Sequence, residues 1–168
     1  SFTAEEIWKE LPGDRQDSVF LSTWHQLPSD AASSPLDWDA ILQVRQSVSK
    51  ELERLRAQGD IGSPLDAEVR IYCSEALRTQ LAHLEDELRF VFISSAASVH
   101  IDTERPDDAV TAGEDGEQWW LSVGATDEDK CGRCWHRRSS VGNSDDHPTL
   151  CGRCITNISG DGERREFV

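Results

Sequence analysis

The sequence predicts an α+β chain closed at its C-terminal end by a small metal-clamped finger, and three observations predict it. A helical apolar stripe runs from Asp37 to a glycine at 59, and two segments near residues 67–73 and 118–125 alternate apolar and polar side chains. Two Cys-Gly-Arg-Cys turns, Cys131–Cys134 and Cys151–Cys154, stand sixteen residues apart near the end.

Taken in order, residues 3–11 form a short helix with Thr3 as N-cap and Glu6 at the third helical position, stopped by Pro12-Gly13. Phe20 and Trp24 follow in loop-like surroundings, where two aromatics need another surface to pack on. Ser29 to Pro35 is small and polar and reads as a linker. Asp37 is the natural N-cap of the long helix, whose stripe is Trp38, Ile41, Val48, Leu52 and Leu55. Arg45 falls on that stripe, either paired with a carboxylate from a neighbouring element or reaching a phosphate at the bundle edge. Ala67 to Cys73 is a half-buried strand that turns Cys73 inward as a small hydrophobe. Ser74 opens a helix carrying Leu77, Leu81 and Leu84, and a second helix holds Leu88, Val91 and Phe92. Ala97 to Ile101 forms a strand, Asp102 to Gly116 a loop rich in Asp, Glu and Gly, and Gln118 to Ala125 a further strand. Trp119 and Trp120 then face opposite sides of the sheet, one in the core and one partly exposed.

Two thiolates separated by two residues can bind one metal from a single turn, and two such turns close a four-sulfur shell. This spacing is a strong zinc signature, with two disulfides or an iron centre as the other chemistries open to it. Gly132 and Gly152 are expected to supply the backbone freedom of the turns. A closed shell of Cys131, Cys134, Cys151 and Cys154 leaves no position for substrate, so the metal is structural. His136 and His147 are then surface groups or second neighbours of the metal. Trp135 is either a hydrophobic lid on a module too small for its own core or a base-stacking surface.

The formal charge is −15, and it is unevenly placed. Residues 1–129 carry 10 basic and 27 acidic groups, a balance of −17, whereas residues 130–168 carry 7 basic and 5 acidic groups, a balance of +2. Phosphate attraction needs local Lys and Arg, so any nucleic-acid contact is confined to the C-terminal part, and the acidic body is a solvated face. No apolar run is long enough for a membrane helix and none resembles a signal peptide. One cysteine beyond the four, Cys73, fits a reducing compartment, and the cytoplasm is the expected one. The chain has no methionine and starts at Ser1, which marks it as a piece of something longer. A phosphate-cradling glycine loop, a G-x-S-x-G elbow and an H-E-x-x-H helix are all missing, and Glu85-Asp86-Glu87 is a charged surface rather than an acid–base pair. No catalytic site is expected within these residues.

With those residues in view, the chain resembles the C-terminal end of bacterial isoleucyl-tRNA synthetases, class I aminoacyl-tRNA synthetases. The resemblance is carried by Lys130-Cys131-Gly132-Arg133-Cys134-Trp135, by His147 to Cys154 and by Asn157 to Arg164. It extends upstream through Phe2 to Trp8, Leu11-Pro12-Gly13, Val44-Arg45 and Asp86 to Arg89. It implies four parts: residues 1–28 as the tail of an anticodon-binding helical bundle, 29–66 as linker and long helix, 67–126 as a small α+β unit, and 127–168 as a four-cysteine zinc-binding domain. It implies one structural Zn²⁺ and places ATP and Mg²⁺ in a catalytic domain outside these 168 residues. The implied partners are the tRNA for isoleucine and the rest of the parent synthetase, with no membrane and no DNA. Unstacked bases are read by aromatic and Arg planes, which makes Trp135, Arg137, Arg138, Arg153, Arg164 and Arg165 the candidate RNA contacts, Arg137 and Arg138 foremost. Arg133 and Arg153 have a second reading, as cations offsetting the thiolate charge. Two other functions compete: a structural or protein-interaction zinc module, for which the acidic body argues, and the DNA-binding finger of a DNA-glycosylase type.

Overall fold

A computed structural model describes residues 2–24, 26, 36–101, 105–113 and 118–167. It divides into two compact units, Ser1–Pro35 and Leu36–Val168. The expected linker Ser29–Pro35 lies outside the described residues.

In the first unit, helix α1 spans Phe2–Glu10 and a 3₁₀ turn spans Val19–Leu21. The helix starts before Thr3, so Thr3 lies inside the first turn instead of capping it. The carboxylate of Glu5, in the same first turn, ties the unit together, accepting from the Ser18 hydroxyl and from the Val19 N–H at 3.1 Å. Pro12-Gly13 ends the helix as expected, with Gly13 at φ 98°. The helix buries no side chain, and Phe20 and Trp24 stand 71% and 97% exposed.

The second unit is built around one mixed sheet. Helix α2 spans Trp38–Gln58, capped by the Asp37 carboxylate, which accepts from the Ala40 N–H at 3.1 Å, and closed by Gly59 in the left-handed region at φ 83°. Its buried face is Ile41, Val44, Val48, Leu52 and Leu55, while Arg45 is exposed. The expectation for Arg45 is thus corrected. Val44 continues the three-and-four spacing from Ile41 to Val48, and the arginine turns outward as its charge requires.

Strand β1 (Ala67–Cys73) is followed by α3 (Glu75–Ala82), capped by the Ser74 hydroxyl, and by α4 (Leu88–Phe92). Then come β2 (Ala96–Ile101), β3 (Val110–Ala112) and β4 (Trp119–Ala125). The sheet order is β2-β1-β4-β3, with β1 parallel to β2 and antiparallel to β4. The parallel pair needs a crossover connection, and α3 with α4 supplies it. Strand β3 lies within the segment expected to be loop. Its three residues owe their strand conformation to pairing with β4, which local composition cannot reveal.

One face of the sheet, with Val69, Ile71, Cys73, Trp119 and Leu121, shares a core with α2, α3 and α4. The long helix and the sheet are therefore one hydrophobic body, although the expected division places the helix with the linker. Trp119 is 3% exposed and Trp120 half-buried, the split the alternation predicts. On the opposite face Tyr72 stacks on His100, with ring centres 5.2 Å apart.

Candidate metal centre

The first cysteine turn is a hairpin. Lys130 and Arg137 bridge across its base, the Cys131 N–H donates to the His136 carbonyl at 2.9 Å, and the Trp135 N–H donates to the Cys131 carbonyl at 3.0 Å. Trp135 sits in the left-handed region at φ 66°, whereas Gly132 and Gly152 do not. The turn's unusual conformation thus falls on the tryptophan, which corrects the role expected of the glycines. In the second turn, Cys151 caps helix α5 (Gly152–Ser159) and Cys154 lies in its first turn. The Gly132 N–H donates to the Thr149 carbonyl at 2.9 Å and the Cys151 N–H to Cys131 Sγ at 3.3 Å, so the two turns hold each other.

This brings the sulfurs of Cys131, Cys134, Cys151 and Cys154 within 4.8 Å of one another. A tetrahedral zinc–thiolate centre with Zn–S bonds of about 2.3 Å has sulfurs about 3.8 Å apart. The Cys134 and Cys151 sulfurs are 3.7 Å apart, one edge of such a tetrahedron and far beyond a disulfide bond. All five cysteines are thiols, which removes the two-disulfide alternative. The donor set fits zinc held structurally, in a closed shell that leaves no position for substrate.

Electrostatics prepare the site. Burial alone would raise the Cys131 thiol, but backbone N–H groups of Cys134, Cys151 and Arg133 outweigh it and hold the thiol down at about 6. Cys134 is pushed up to about 12 by desolvation and by the neighbouring Cys154, Cys131 and Cys151 side chains, against a single backbone N–H, that of His136. Arg133 Nη1 donates to Cys154 Sγ at 3.7 Å, the charge-offsetting position expected of it. Arg153 is held as a cation by Glu163 first, with the Cys134 and Cys154 sulfurs adding to the effect. His136 is buried, its Nδ1 3.3 Å from the Cys134 carbonyl and its ring edge-on to Phe90. Burial first, and then the neighbouring Arg89, lower its pKa from the ordinary imidazole value.

The other candidate residues divide sharply. Trp135 is 61% exposed, with Lys130 Nζ 5.9 Å from its ring centre, so it is not a lid on the metal. Arg137 is a clasp. Its Nε donates to Asp66 Oδ1 at 2.8 Å and its Nη1 to the Glu128 carbonyl at 3.1 Å, while its backbone N–H donates to Ser95 Oγ at 2.6 Å. Arg138 Nη1 donates to the Ser95 carbonyl at 3.1 Å and lies 3.6 Å from Asp86. The two residues placed foremost for RNA are thus engaged with the α+β body. Arg153 and Arg165 both pair with Glu163, and Arg165 lies 3.9 Å over the Phe90 ring. Arg164 is exposed and makes no ion pair among the described residues. Sequence reasoning missed Lys130 as a companion of Trp135, and Ser95 and Asp66 as the socket for Arg137. Only Lys130 carried a signal, its place directly before the first ligand.

Comparison with known proteins agrees with this geometry. The family described as "Zinc finger found in FPG and IleRS" matches residues 128–157, and the "Anticodon-binding domain of tRNA ligase" matches residues 1–71. An isoleucine–tRNA ligase of Thioalkalivibrio sulfidiphilus is 52% identical over 173 residues, covering 100% of this chain. The chain matches the C-terminal region of isoleucine–tRNA ligases. The ligase of Halorhodospira halophila is 52% identical over 98% of the chain, and that of Methylococcus capsulatus 47% over 99%. The chain spans 18% of the length of each of these relatives. The family's zinc-finger match encloses all four cysteines, in accord with zinc as the metal of the cluster. No helix among the described residues is long and apolar enough to cross a membrane.

Proposed function

We propose that this chain is the tRNA-recognition end of an isoleucine–tRNA ligase, one that uses ATP and Mg²⁺ elsewhere in the protein to attach isoleucine to its tRNA. The described residues hold a zinc-stabilised surface for the anticodon end and take no part in the chemistry. The observation that carries this reading is Trp135, an exposed indole held by the first cysteine turn and accompanied by Lys130. An exposed aromatic with an adjacent cation stacks an unpaired base and meets its phosphate. The zinc cluster fixes the turn that presents it, with Cys131, Cys134, Cys151 and Cys154 as ligands.

The partners follow from the same surfaces. Ile7, Phe20 and Trp24 of the first unit are more than half exposed, and we assign them to packing against the rest of the anticodon-binding bundle of the same protein. Five cysteines with no disulfide among them fit the reducing cytoplasm.

Binding of the zinc-loaded protein to the tRNA for isoleucine, against a tRNA with a different anticodon, tests the reading. Trp135→Ala is expected to weaken the cognate complex by about 1–3 kcal/mol, the worth of one stacked base, and to narrow the preference over the other tRNA. Equal, weak binding of both tRNAs by the unsubstituted protein would overturn it.

A further inference from the structure

A cavity of about 260 Å³ lies between the zinc module and the α+β body, and four arginines line it: Arg89, Arg138, Arg153 and Arg164. Two carboxylates, Asp86 and Glu163, face them. Asp86 accepts from Arg89 at 2.8 Å and lies 3.6 Å from Arg138, while Glu163 takes Arg153 in a two-point contact at 2.5 and 2.7 Å. The cavity wall therefore holds four guanidinium groups against two carboxylates, and two of the zinc ligands, Cys134 and Cys151, complete its lining beside them. Arg89, 3% exposed, is the arginine that Asp86 balances, so the excess of guanidinium over carboxylate falls on the half-buried Arg138 and the exposed Arg164. Each guanidinium has five N–H donors in a planar fork, and neither the Asp86 nor the Glu163 contact uses all of them. Arg164 makes no ion pair among the described residues.

Acid pairing alone does not account for this arrangement. A structural cluster balances its charges, as the Arg137–Asp66 clasp does on the other side of the module. Offsetting the zinc–thiolate centre is the task of Arg133, whose Nη1 reaches Cys154 Sγ, and of Arg153. Arg89, Arg138 and Arg164 converge on the cavity instead. We infer that this cavity is an oxyanion pocket that takes a single phosphate group, with Arg164 as its outer donor and Arg89 and Arg138 as its inner ones. That the phosphate belongs to an RNA backbone rests on the function proposed above; the pocket itself does not.

Titration of the zinc-loaded protein with inorganic phosphate, followed by calorimetry, reads the pocket directly. Saturable binding of one phosphate is expected, weakened about tenfold in Arg164→Gln by the loss of a charge-assisted contact. Zinc content and thermal midpoint of that variant are expected to stay unchanged, since Arg164 is exposed. Glu163→Gln removes a competing carboxylate and is expected to tighten phosphate binding, the opposite sign to any loss of structure. A tRNA titration separates the sources. If phosphate competes with tRNA, and Arg164→Gln lowers the salt dependence of tRNA binding by about one phosphate contact, the pocket holds an RNA phosphate. If phosphate binds but does not compete, the pocket stands as a free-anion site and its link to RNA fails. Absence of saturable phosphate binding, or equal binding by Arg164→Gln, would overturn the pocket even where tRNA binds normally.

Discussion

The α+β body and the zinc module solve the same problem with different means. The body buries a continuous apolar set, from Ile41 and Val48 on α2 through Val69 and Ile71 on β1 to Leu81, Leu88 and Phe92. The module's buried hydrophobic set is Cys131, Cys151 and Cys154, with Cys134, Val141 and Leu150 packed around them among the described residues. In the first, burial of hydrocarbon stabilises the fold; in the second, the buried side chains are the ligands. A segment too short to enclose a core can still hold a fixed shape when a metal stands in the core's place.

The difference also explains the seam between the two. The module sits on the body through directional contacts: Arg137 with Asp66 and Ser95, Arg138 with the Ser95 carbonyl, and the Glu166 and Phe167 N–H groups with the Glu87 carboxylate at 2.7 and 2.9 Å. Ile93, in the left-handed region at φ 57°, turns the chain so that Ser95 enters at the edge of β1, its N–H bonded to the Ala67 carbonyl. Polar contacts of this kind fix orientation without needing a shared hydrocarbon core.

The comparison can be broken first at the metal. Cys151→Ser is expected to abolish stoichiometric zinc and unfold residues 130–159, forfeiting metal-binding free energy of about 10 kcal/mol or more, while the helical signal of α2 persists. Retained zinc, read by elemental analysis, would contradict the four-thiolate shell. Next in size is the body: Leu81→Ala leaves a cavity in the hydrocarbon core and is expected to cost about 2–5 kcal/mol. Its zinc content should be unchanged at temperatures where the fold survives, and loss of zinc in step with the first unfolding would show that the two regions are one cooperative unit. At the seam, Arg137→Ala is expected to cost about 1–3 kcal/mol by leaving the half-buried Asp66 unpaired, with zinc retained and faster hydrogen exchange around Ser95. The helix cap is smaller still, with Asp37→Ala costing about 1 kcal/mol in thermal denaturation and nothing in zinc affinity.

The smallest expected effect concerns acid. Arg153, aided by Arg165 and opposed by burial, holds the Glu163 carboxyl at about 2, below its ordinary 4.5. A depressed carboxylate contributes stability that is complete above the ordinary value and lost only as pH falls toward the folded one. Protons displace zinc from thiolates at higher pH than that. The ion pair is therefore intact throughout that range, so Glu163→Gln should leave the steepness of zinc release with pH where it is, and a change in that steepness would show Glu163 titrating together with the thiolates.

What the sequence disclosed follows the same division. Local signals were legible: Asp37 and Gly59 bound α2, Ser74 caps α3, alternation put Trp119 and Trp120 on opposite faces, and the cysteine spacing named the cluster. Signals that depend on a distant partner were not. Arg137 finds Asp66 seventy-one residues away, so its charge looked available for RNA when it is engaged in the clasp. Strand β3 exists because β4 pairs with it, and nothing in its own three residues marks a strand. Arg45 was misplaced by one position because the three-or-four spacing of a helix leaves two choices at each step, and only the packed structure selected Val44.

Amide hydrogen exchange of the protein before and after zinc chelation tests the central claim most directly, because it reads both regions in one experiment. If the metal takes the place of a core, amides of residues 130–159 lose their protection on chelation while those of α2 and β1 keep theirs. Protection of the cysteine turns that survives chelation, or a loss spread equally through α2 and β1, would contradict the account.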